Sequence, residues 1–265
     1  MELSFRVILC HHLPLCSFMA RLCIEIGEVI RLKKRSIPFK SIWFYCPILL
    51  LTLCAVHWGS QAVTTLSQRN IPDRGPCIIV DAGHGGEDGG ATSCSGVLES
   101  RFNLEIALRL NDLLQFMGYE TKMVRTTDCA VHTEGETIAA RKRSDLNNRV
   151  KLVNGTEDAL LLSVHQNTFP DERYSGPQVF YAAGSEQLAK HFQSALNSNL
   201  CPNSARQAKP AKGVFLMEHI RKQGILIECG FLSNPQEEAK LRTPLYQQKL
   251  ACVIVSSLME YLSNT

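Results

Sequence analysis

The sequence predicts an α/β fold with a twisted, mostly parallel sheet, helices on both faces, and a single domain spanning residues 76–265. Three observations lead to this prediction. The apolar runs after residue 76 are continuous rather than alternating, which is typical of strands buried on both faces. Segments with helical periodicity separate these runs, as they do in α/β sheets. The 265 residues, 45% of them hydrophobic, suffice for one sizeable core and an attached segment.

Five short apolar runs are the predicted strands. Each has the length of an ordinary strand and is bounded by polar or glycine-containing segments. The predicted strands are Cys77–Val80, Tyr119–Val124, Ala159–Val164, Gln178–Ala182 and Ile225–Ile227.

The predicted helices follow from three- and four-residue spacing of apolar residues and from residues that favour helix ends. In the first helix, Phe102, Ile106 and Leu110 share one face, and Gly118 ends it as a left-handed cap. A later helix begins at Pro235, directly after the capping residue Asn234. The predicted helices are Glu99–Met117, Asp145–Asn154, Ser185–Leu200, a short helix from Pro235, and a last helix near Gln247–Leu262.

The N-terminal part differs in charge from the rest of the chain. Residues 1–75 hold nine Lys or Arg against four Asp or Glu, whereas the remaining residues hold 19 against 21. A nucleic-acid-binding protein would carry its basic excess on the folded domain, so nucleic acid is not an expected partner. Residues 41–63 contain no Asp, Glu, Lys or Arg and follow a basic cluster, which predicts export of what comes after them.

This part is predicted to hold a cytoplasmic or signal n-region at 1–40, an apolar segment at 41–63 and a polar linker at 64–75. The apolar segment is a signal anchor, since about 20 residues span a bilayer, or a cleaved signal peptide, since Ser60-Gln61-Ala62 offers small residues for cleavage. A buried core helix is the third interpretation. Met1 and Met19 are both candidate start residues. Membrane contact is expected through this part only.

The cysteines do not form a recognisable metal or redox motif. Of eleven cysteines, those after residue 76 are scattered without CxxC spacing, and three lie in apolar runs. Small buried thiols are the simplest interpretation, so no required disulfide is predicted even for an exported protein.

Polar groups follow three of the buried strands at the point where each strand ends. The first strand leads through a glycine-rich turn to His84, the third is followed by His165, and the fifth by Glu228. Ligands bind beyond the carboxyl ends of strands in open parallel sheets, so we expect these groups to converge. The glycines around His84 are not followed by Lys-Ser/Thr, which excludes a phosphate-binding loop of the Walker type.

Each candidate has an ordinary structural explanation when taken alone. His84 could be a turn residue, Glu99 a helix N-terminal carboxylate, His165 a buried histidine and Glu228 half of an ion pair. Together they have a chemical logic, because two imidazoles and a carboxylate supply three ligands to a catalytic Zn²⁺ and leave a fourth position for water. A second carboxylate can then transfer the proton of the water, and Glu228 is the candidate for that role.

Four segments in order resemble the zinc-dependent N-acetylmuramoyl-L-alanine amidases of the amidase type 3 family. They are Val80-Asp81-Ala82-Gly83-His84-Gly85-Gly86, Gly96-Val97-Leu98-Glu99 with Asn103-Leu104, Ser163-Val164-His165-Gln166-Asn167, and Ile227-Glu228-Cys229-Gly230-Phe231-Leu232-Ser233-Asn234. The resemblance implies one Zn²⁺ held by His84, Glu99 and His165, a catalytic Glu228, and hydrolysis of the amide between N-acetylmuramic acid and L-alanine in peptidoglycan. The family usually has alanine at the position of Gln166 and valine at that of Cys229.

Within the family, the chain is most similar to the sporulation amidases that remove stem peptides for muramic-lactam formation in the spore cortex. This likeness implies a place on the outer face of the cytoplasmic membrane, in the cell wall or in the spore intermembrane space, and a possible activator protein. The basic stretch Arg141-Lys142-Arg143 supports it, although a solvated helix start explains the stretch equally well. Candidate substrate contacts are Asn167, Gln166, Arg206 and Lys209. The alternative functions are a catalytically silent, zinc-containing wall-binding or regulatory protein, and a zinc peptidase acting within the stem peptide.

Overall fold

The structure, a computed structural model, describes residues 75–264. The predicted N-terminal region at 1–40, the apolar segment at 41–63 and nearly all of the linker at 64–75 lie outside the described residues. Within 75–264, none of the helices combines the length and apolar character needed to cross a membrane.

A six-stranded sheet forms the centre of the domain, with strand order β2-β1-β3-β6-β4-β5. All neighbouring strands are parallel except β4 and β6, which run antiparallel. The mostly parallel sheet predicted from the continuous apolar runs is therefore confirmed. The strands are β1 (Cys77–Ala82), β2 (Thr121–Met123), β3 (Ala159–Asn167), β4 (Gln178–Tyr181), β5 (Lys209–Pro210) and β6 (Gln223–Phe231).

Helices cover both faces of the sheet, as predicted. The helices are α1 (Glu99–Phe116), α2 (Ile138–Gly155), α3 (Glu186–Leu200), α4 (Phe215–His219), α5 (Pro235–Leu241) and α6 (Pro244–Ser263). Helices α1, α3 and α6 pack on one face, and α2 and α4 on the other. We call these the α1 face and the α2 face.

Alternation along the strands divides the core between these two faces. In β3, Leu160, Leu162 and Val164 belong to the core of the α1 face, whereas Leu161 belongs to the core of the α2 face. Both sets are at most 2% exposed, which explains why the run is apolar without interruption. Each buried leucine contributes about 1.5–3 kcal/mol of transfer free energy, so the central strand anchors the residues at its carboxyl end.

The boundaries of three elements differ from the sequence prediction in a way that matters for the site. Helix α2 begins at Ile138, about two turns before the predicted Asp145, because the Thr137 side chain accepts a hydrogen bond from Ala140 N at 3.1 Å and caps it. The added turns are mostly exposed and have no apolar periodicity. Strands β3 and β6 extend beyond the predicted ends, so His165 and Glu228 lie within the strands.

Two short elements, β5 and α4, were not predicted, because two- and five-residue elements are too short for periodicity to reveal. The predicted ends of α1 at Gly118 and of α5 at Asn234 are confirmed: Gly118 has a φ of +91°, and the Asn234 side chain accepts from Gln236 N and Glu237 N. All cysteines of the described residues have free thiols, namely Cys77, Cys94, Cys129, Cys201, Cys229 and Cys252.

Candidate metal centre and active site

The structure brings His84, Glu99 and His165 together at the carboxyl edge of the sheet. His84 lies in the loop after β1, Glu99 is the first residue of α1, and His165 lies near the end of strand β3. One potential ligand atom from each lies within 4.8 Å of the other two. His84 Nε2 lies 3.3 Å from Glu99 Oε2, and His165 Nδ1 lies 3.0 Å from Glu99 Oε1. Two imidazoles therefore face the two oxygens of one carboxylate.

Glycines make this close approach possible. A Cβ atom at Gly83 would lie 2.1 Å from His165 Nε2, and one at Gly90 would lie 2.6 Å from Glu99 Oε2. His84 itself has a φ of +61°, in the left-handed region that non-glycine residues seldom occupy. Such a conformation persists only where surrounding contacts hold it, and at functional sites it often serves to aim a side chain.

Arg125 is one of two buried arginines that hold the loop carrying His84. Its guanidinium donates to Ala82 O at 2.9 Å, to Gly83 O at 3.0 Å and to Ser100 O at 2.8 Å. The residue is only 3% exposed, so these charge-assisted bonds form away from bulk water. Arg125 thus joins the end of β1 to the first turn of α1, which carries Glu99.

Arg149 is the second, and it forms a buried ion pair with Asp81. It also donates to His84 O at 2.9 Å, and Ser163 Oγ donates to the Asp81 carboxylate at 2.6 Å. Burial would raise the pKa of Asp81, but the Arg149 charge and the Ser163 hydroxyl outweigh burial and hold that pKa below its usual value. The carboxylate is therefore ionised at neutral pH and keeps Arg149 aligned on the loop.

Both carboxylate oxygens of Glu99 accept hydrogen bonds. Oε1 accepts from Asn103 Nδ2 and from Gln166 N, both at 3.1 Å, and Oε2 accepts from Ala91 N at 3.0 Å. Burial opposes ionisation of this side chain, yet its hydrogen bonds with His165 and His84 outweigh burial and hold its pKa far below the usual carboxyl range. The site therefore contains a fixed negative charge between two imidazoles.

A second carboxylate contacts His84 from the other side. Asp88 Oδ2 lies 2.9 Å from His84 Nδ1 and 3.1 Å from Lys142 Nζ. Burial alone would lower the pKa of His84, but Glu99 and Asp88 outweigh it and raise that pKa. Asp88 thus lies within ion-pair distance of Nδ1 while Nε2 faces Glu99, and a carboxylate beside the second ring nitrogen is common around histidine ligands of metals.

Glu228 lies beside His165, because the two residues are paired in the parallel register of β3 and β6. The residue is partly buried, and within the described part of the chain its Oε2 is shut off from solvent with no hydrogen-bond partner. Burial raises the pKa of Glu228 to about 7, with Glu99 adding to the increase and the two histidines opposing it. A carboxyl group with a pKa near neutrality can both accept and donate a proton under physiological conditions.

Comparison with known proteins shows the family to which the chain belongs. A family model described as N-acetylmuramoyl-L-alanine amidase matches residues 78–260. The chain belongs to this amidase family. It is 41% identical over 199 residues to the germination-specific N-acetylmuramoyl-L-alanine amidase of Bacillus subtilis (strain 168), covering 74% of this chain and 83% of that relative.

Solved structures of amidases share the fold. The CwlD amidase from Clostridioides difficile, solved in complex with the GerS lipoprotein, matches with a TM-score of 0.69 and 32% identity, covering 72% of this chain and all of that one. The N-acetylmuramoyl-L-alanine amidase from Clostridium difficile 630 matches with a TM-score of 0.63 and 28% identity, covering 72% and 98% of the two chains. The predicted fold and family are confirmed, and the enzyme is a peptidoglycan amidase that cleaves between N-acetylmuramic acid and L-alanine.

Two predicted substrate contacts of the amidase, Asn167 and Gln166, are neighbours at the carboxyl end of β3. Gln166 is 3% exposed, and its Nε2 donates to Asn103 Oδ1 at 3.2 Å on the α1 face. His165, one residue earlier, points to the other face. The structure therefore does not place the Gln166 side chain in the cleft. Asn167 is partly buried two residues beyond His165, where the pairing of β3 with β6 changes register.

The other two predicted contacts, Arg206 and Lys209, lie toward β4 and β5. Arg206 donates to Ser175 O at 3.1 Å and stacks over the Phe231 ring at 5.0 Å from its centroid. Lys209 is exposed on β5, the strand at the edge of the sheet and two places from β6. Neither is among the residues that the structure gathers around Glu99.

The basic stretch at 141–143 is the exposed second turn of α2. Arg141 makes a two-pronged contact with Glu87, at 2.9 Å and 3.1 Å, and Lys142 pairs with Asp88. These pairs tie the start of α2 to the segment directly after the His84 turn. Sequence patterns give no sign of the roles of Asp81, Asp88, Asn103 and Arg125, although each of these residues lies in or beside a conspicuous motif or a predicted strand.

Proposed function

We propose that the amidase is a one-zinc hydrolase in which His84, Glu99 and His165 hold the metal and Glu228 transfers the proton. The observation that carries this assignment is the convergence of the three ligand atoms within 4.8 Å, with Glu228 paired beside His165. The sequence alone predicts the same four residues, one from each of four separate segments.

The residues fit a zinc ion in chemistry and in size. Two imidazoles and one carboxylate are a typical ligand set for a catalytic zinc, with a fourth position left open. Ligand atoms about 2.0–2.1 Å from a tetrahedral zinc lie roughly 3.3 Å from one another. The three ligand atoms lie within 4.8 Å of one another, and each imidazole nitrogen lies 3.0–3.3 Å from one Glu99 oxygen, so small side-chain movements would bring them to this spacing.

The protein residues supply proton transfer and orientation. When bound, zinc acts as a Lewis acid that polarises the lactyl carbonyl and makes water more acidic. Glu228 accepts a proton as the water oxygen bonds to the carbonyl carbon. It then delivers that proton to the L-alanine nitrogen as the carbon–nitrogen bond breaks, which yields a lactyl carboxylate and a free stem peptide.

The test compares the zinc-loaded enzyme with its Glu228→Gln variant on purified peptidoglycan, with products identified by mass spectrometry. The expected result is stem peptides beginning with L-alanine from the wild type and at least a hundredfold lower release from the variant, the usual range for loss of a general base. Glu238→Gln serves as the matched control. Glu238 lies on α5 and is a buried carboxylate that accepts hydrogen bonds from Ser93 and Ser95. Peptides cut within the stem would instead support a peptidase.

We further propose a role in spore cortex maturation. Support comes from the 41% identity to a germination-specific amidase and from the likeness to CwlD. In this role, removal of stem peptides precedes formation of muramic-lactam. Deletion of the gene should leave the cortex without muramic-lactam, measured by chromatography of digested cortex, and the Glu228→Gln allele should not restore it. Normal lactam content in the deletion strain would overturn this role.

A protein activator is also part of the proposal, because the CwlD structure contains the GerS lipoprotein. We expect peptide release by the purified enzyme to increase when a GerS-like lipoprotein from the same organism is added. Full activity of the enzyme alone, unchanged by the lipoprotein, would contradict this expectation.

Export through residues 41–63 completes the proposal, and it rests on their sequence. We expect the mature protein at the outer face of the membrane or in the spore envelope. Fractionation and N-terminal sequencing distinguish an anchored chain from one cleaved near Ala62. A protein recovered from the cytoplasm with its N-terminus intact would contradict export.

A further inference from the structure

We propose that Asn103 and Gln166 are positioning residues for Glu99, forming a buried amide relay that sets the affinity of the site for zinc. The proposal rests on the assignment of Glu99 as a zinc ligand. It gives Gln166 a role other than the substrate contact expected from the sequence.

Asn103 connects two parts of the metal site. It lies one turn after Glu99 in α1 and is fully buried. Its Nδ2 donates to Glu99 Oε1 at 3.1 Å and to Gly83 O at 3.1 Å. Gly83 directly precedes His84, so a single amide group fixes both the carboxylate ligand and the turn that carries an imidazole ligand.

Gln166 fixes the orientation of the Asn103 amide. A rotated amide would point its oxygen at the Glu99 carboxylate, which would replace an attractive contact by a repulsive one. Gln166 Nε2 donates to Asn103 Oδ1 at 3.2 Å, which holds the oxygen away from Glu99. Within the described residues, the buried Oε1 of Gln166 has no hydrogen-bond partner. A buried acceptor without a partner lowers stability, whereas an apolar side chain of similar volume would not. The amide at this position therefore calls for an explanation, and its bond to Asn103 provides one.

The position of Gln166 on β3 means that its side chain must act through Asn103. Side chains alternate along a strand, so His165 and Glu228 point away from the α1 face, where Gln166 and the neighbouring Cys229 thiol lie. Substrate in the cleft therefore does not reach the Gln166 amide. The backbone N of Gln166 also donates to Glu99 Oε1, and substitution of the side chain leaves that bond intact.

Outer hydrogen bonds of this kind orient metal ligands, and their loss typically weakens metal binding about 10- to 100-fold. Asn103→Ala removes a direct bond to Glu99 and should raise the zinc dissociation constant at least tenfold. Gln166→Met keeps the volume but removes the donor, and should raise it about threefold, as expected for one neutral hydrogen bond. Because Gln166 acts through Asn103, Gln166→Met should have no further effect in the Asn103→Ala background.

The experiment measures zinc dissociation constants of the full chain by competition with a chromophoric chelator. The samples are the wild type, the two single variants, the double variant and Gln247→Met. Gln247 is a matched control, since it is a buried glutamine whose amide bonds Glu105 and Leu241 O instead of the metal site. Thermal unfolding of the zinc-free proteins shows whether each variant is folded.

The expected pattern is weaker zinc binding in Asn103→Ala and Gln166→Met, unchanged binding in Gln247→Met, and a double variant equal to Asn103→Ala. An unchanged dissociation constant in either single variant, or effects that multiply in the double variant, would overturn the relay. A wild type that binds no zinc would instead refute the zinc assignment itself, so the two failures are distinguishable.

Discussion

Replacing Glu228 by glutamine should stabilise the zinc-free enzyme while it removes activity. Burial raises the pKa of this carboxyl group to about 7 from an ordinary 4.5. Because the folded state binds the proton of Glu228 more tightly than the unfolded state does, ionisation of this group lowers the free energy of unfolding. The loss is absent below about pH 4.5, grows as pH rises to 7, and is complete above pH 7. The difference between a pKa of 4.5 and one of about 7 corresponds to roughly 3 kcal/mol of unfolding free energy, at about 1.36 kcal/mol for each pKa unit.

The amide of glutamine has nearly the same shape and no charge to bury. We therefore expect Glu228→Gln to be more stable than the wild type by on the order of 3 kcal/mol at pH 8, and by almost nothing at pH 4.5. For a domain of this size, this corresponds to an increase in Tm of roughly 6–12 °C at pH 8. Zinc is removed with a chelator before measurement, since a bound cation would favour the ionised carboxylate.

The assay is thermal or urea unfolding of both proteins at half-unit steps from pH 4.5 to 8.5. Glu238→Gln is the control, because Glu238 is buried and glutamine keeps an oxygen that can accept from Ser93 and Ser95, so this variant should show no stability gain that grows with pH. The reasoning would be refuted by a Glu228→Gln variant that is equally or less stable than the wild type at pH 8. A stability gain that does not depend on pH would refute it as well.

Two further perturbations follow from the structure. Gly83→Ala should abolish zinc binding in a chelator competition, because its Cβ would lie 2.1 Å from His165 Nε2, whereas Gly155→Ala meets no atom within 4 Å and should bind zinc as the wild type does. Asp81→Asn should destabilise the protein by about 1.5–3 kcal/mol at pH 7, since it removes a buried charge-assisted bond and leaves Arg149 paired with Asp145 alone. The pKa of Asp81 is lowered in the folded state, so its contribution to stability is present above the ordinary carboxyl pKa and is lost as pH falls below that value. The difference in stability between Asp81→Asn and the wild type should therefore shrink at acidic pH.

The fold was predictable because its central strands are long, apolar and buried on both faces. The prediction was poorer where tertiary contacts, rather than periodicity, define an element. Helix α2 starts early because Thr137 caps it and because Arg141 reaches Glu87 across the loop, and neither contact leaves an apolar pattern. The edge strand β5 has only two residues, and its pairing with β4 decides its structure.

The residues that converge on the metal site were predictable because each follows a recognisable strand or begins a helix. The residues that hold them were not, because their role depends on which backbone carbonyls lie nearby. Arg125 and Arg149 appear in the sequence as ordinary basic residues, yet each is 3% exposed and donates to the turn around His84. A charged residue that is buried in the fold cannot be distinguished by composition from one that is solvated.

Gln166 shows where the sequence held enough information for a better prediction. Side chains alternate along a strand, so a histidine directed at the cleft implies that the next residue points to the other face. The α1 face contains the helix that begins with Glu99, and a helix places the residue four positions later beside the first. These two periodicities together bring Gln166 toward Asn103 and Glu99. Strand β3 therefore has two roles in the site. His165 is itself a candidate ligand, and Gln166, which points the other way, supports the candidate ligand Glu99 through Asn103. The direction of a single side chain fixes each role.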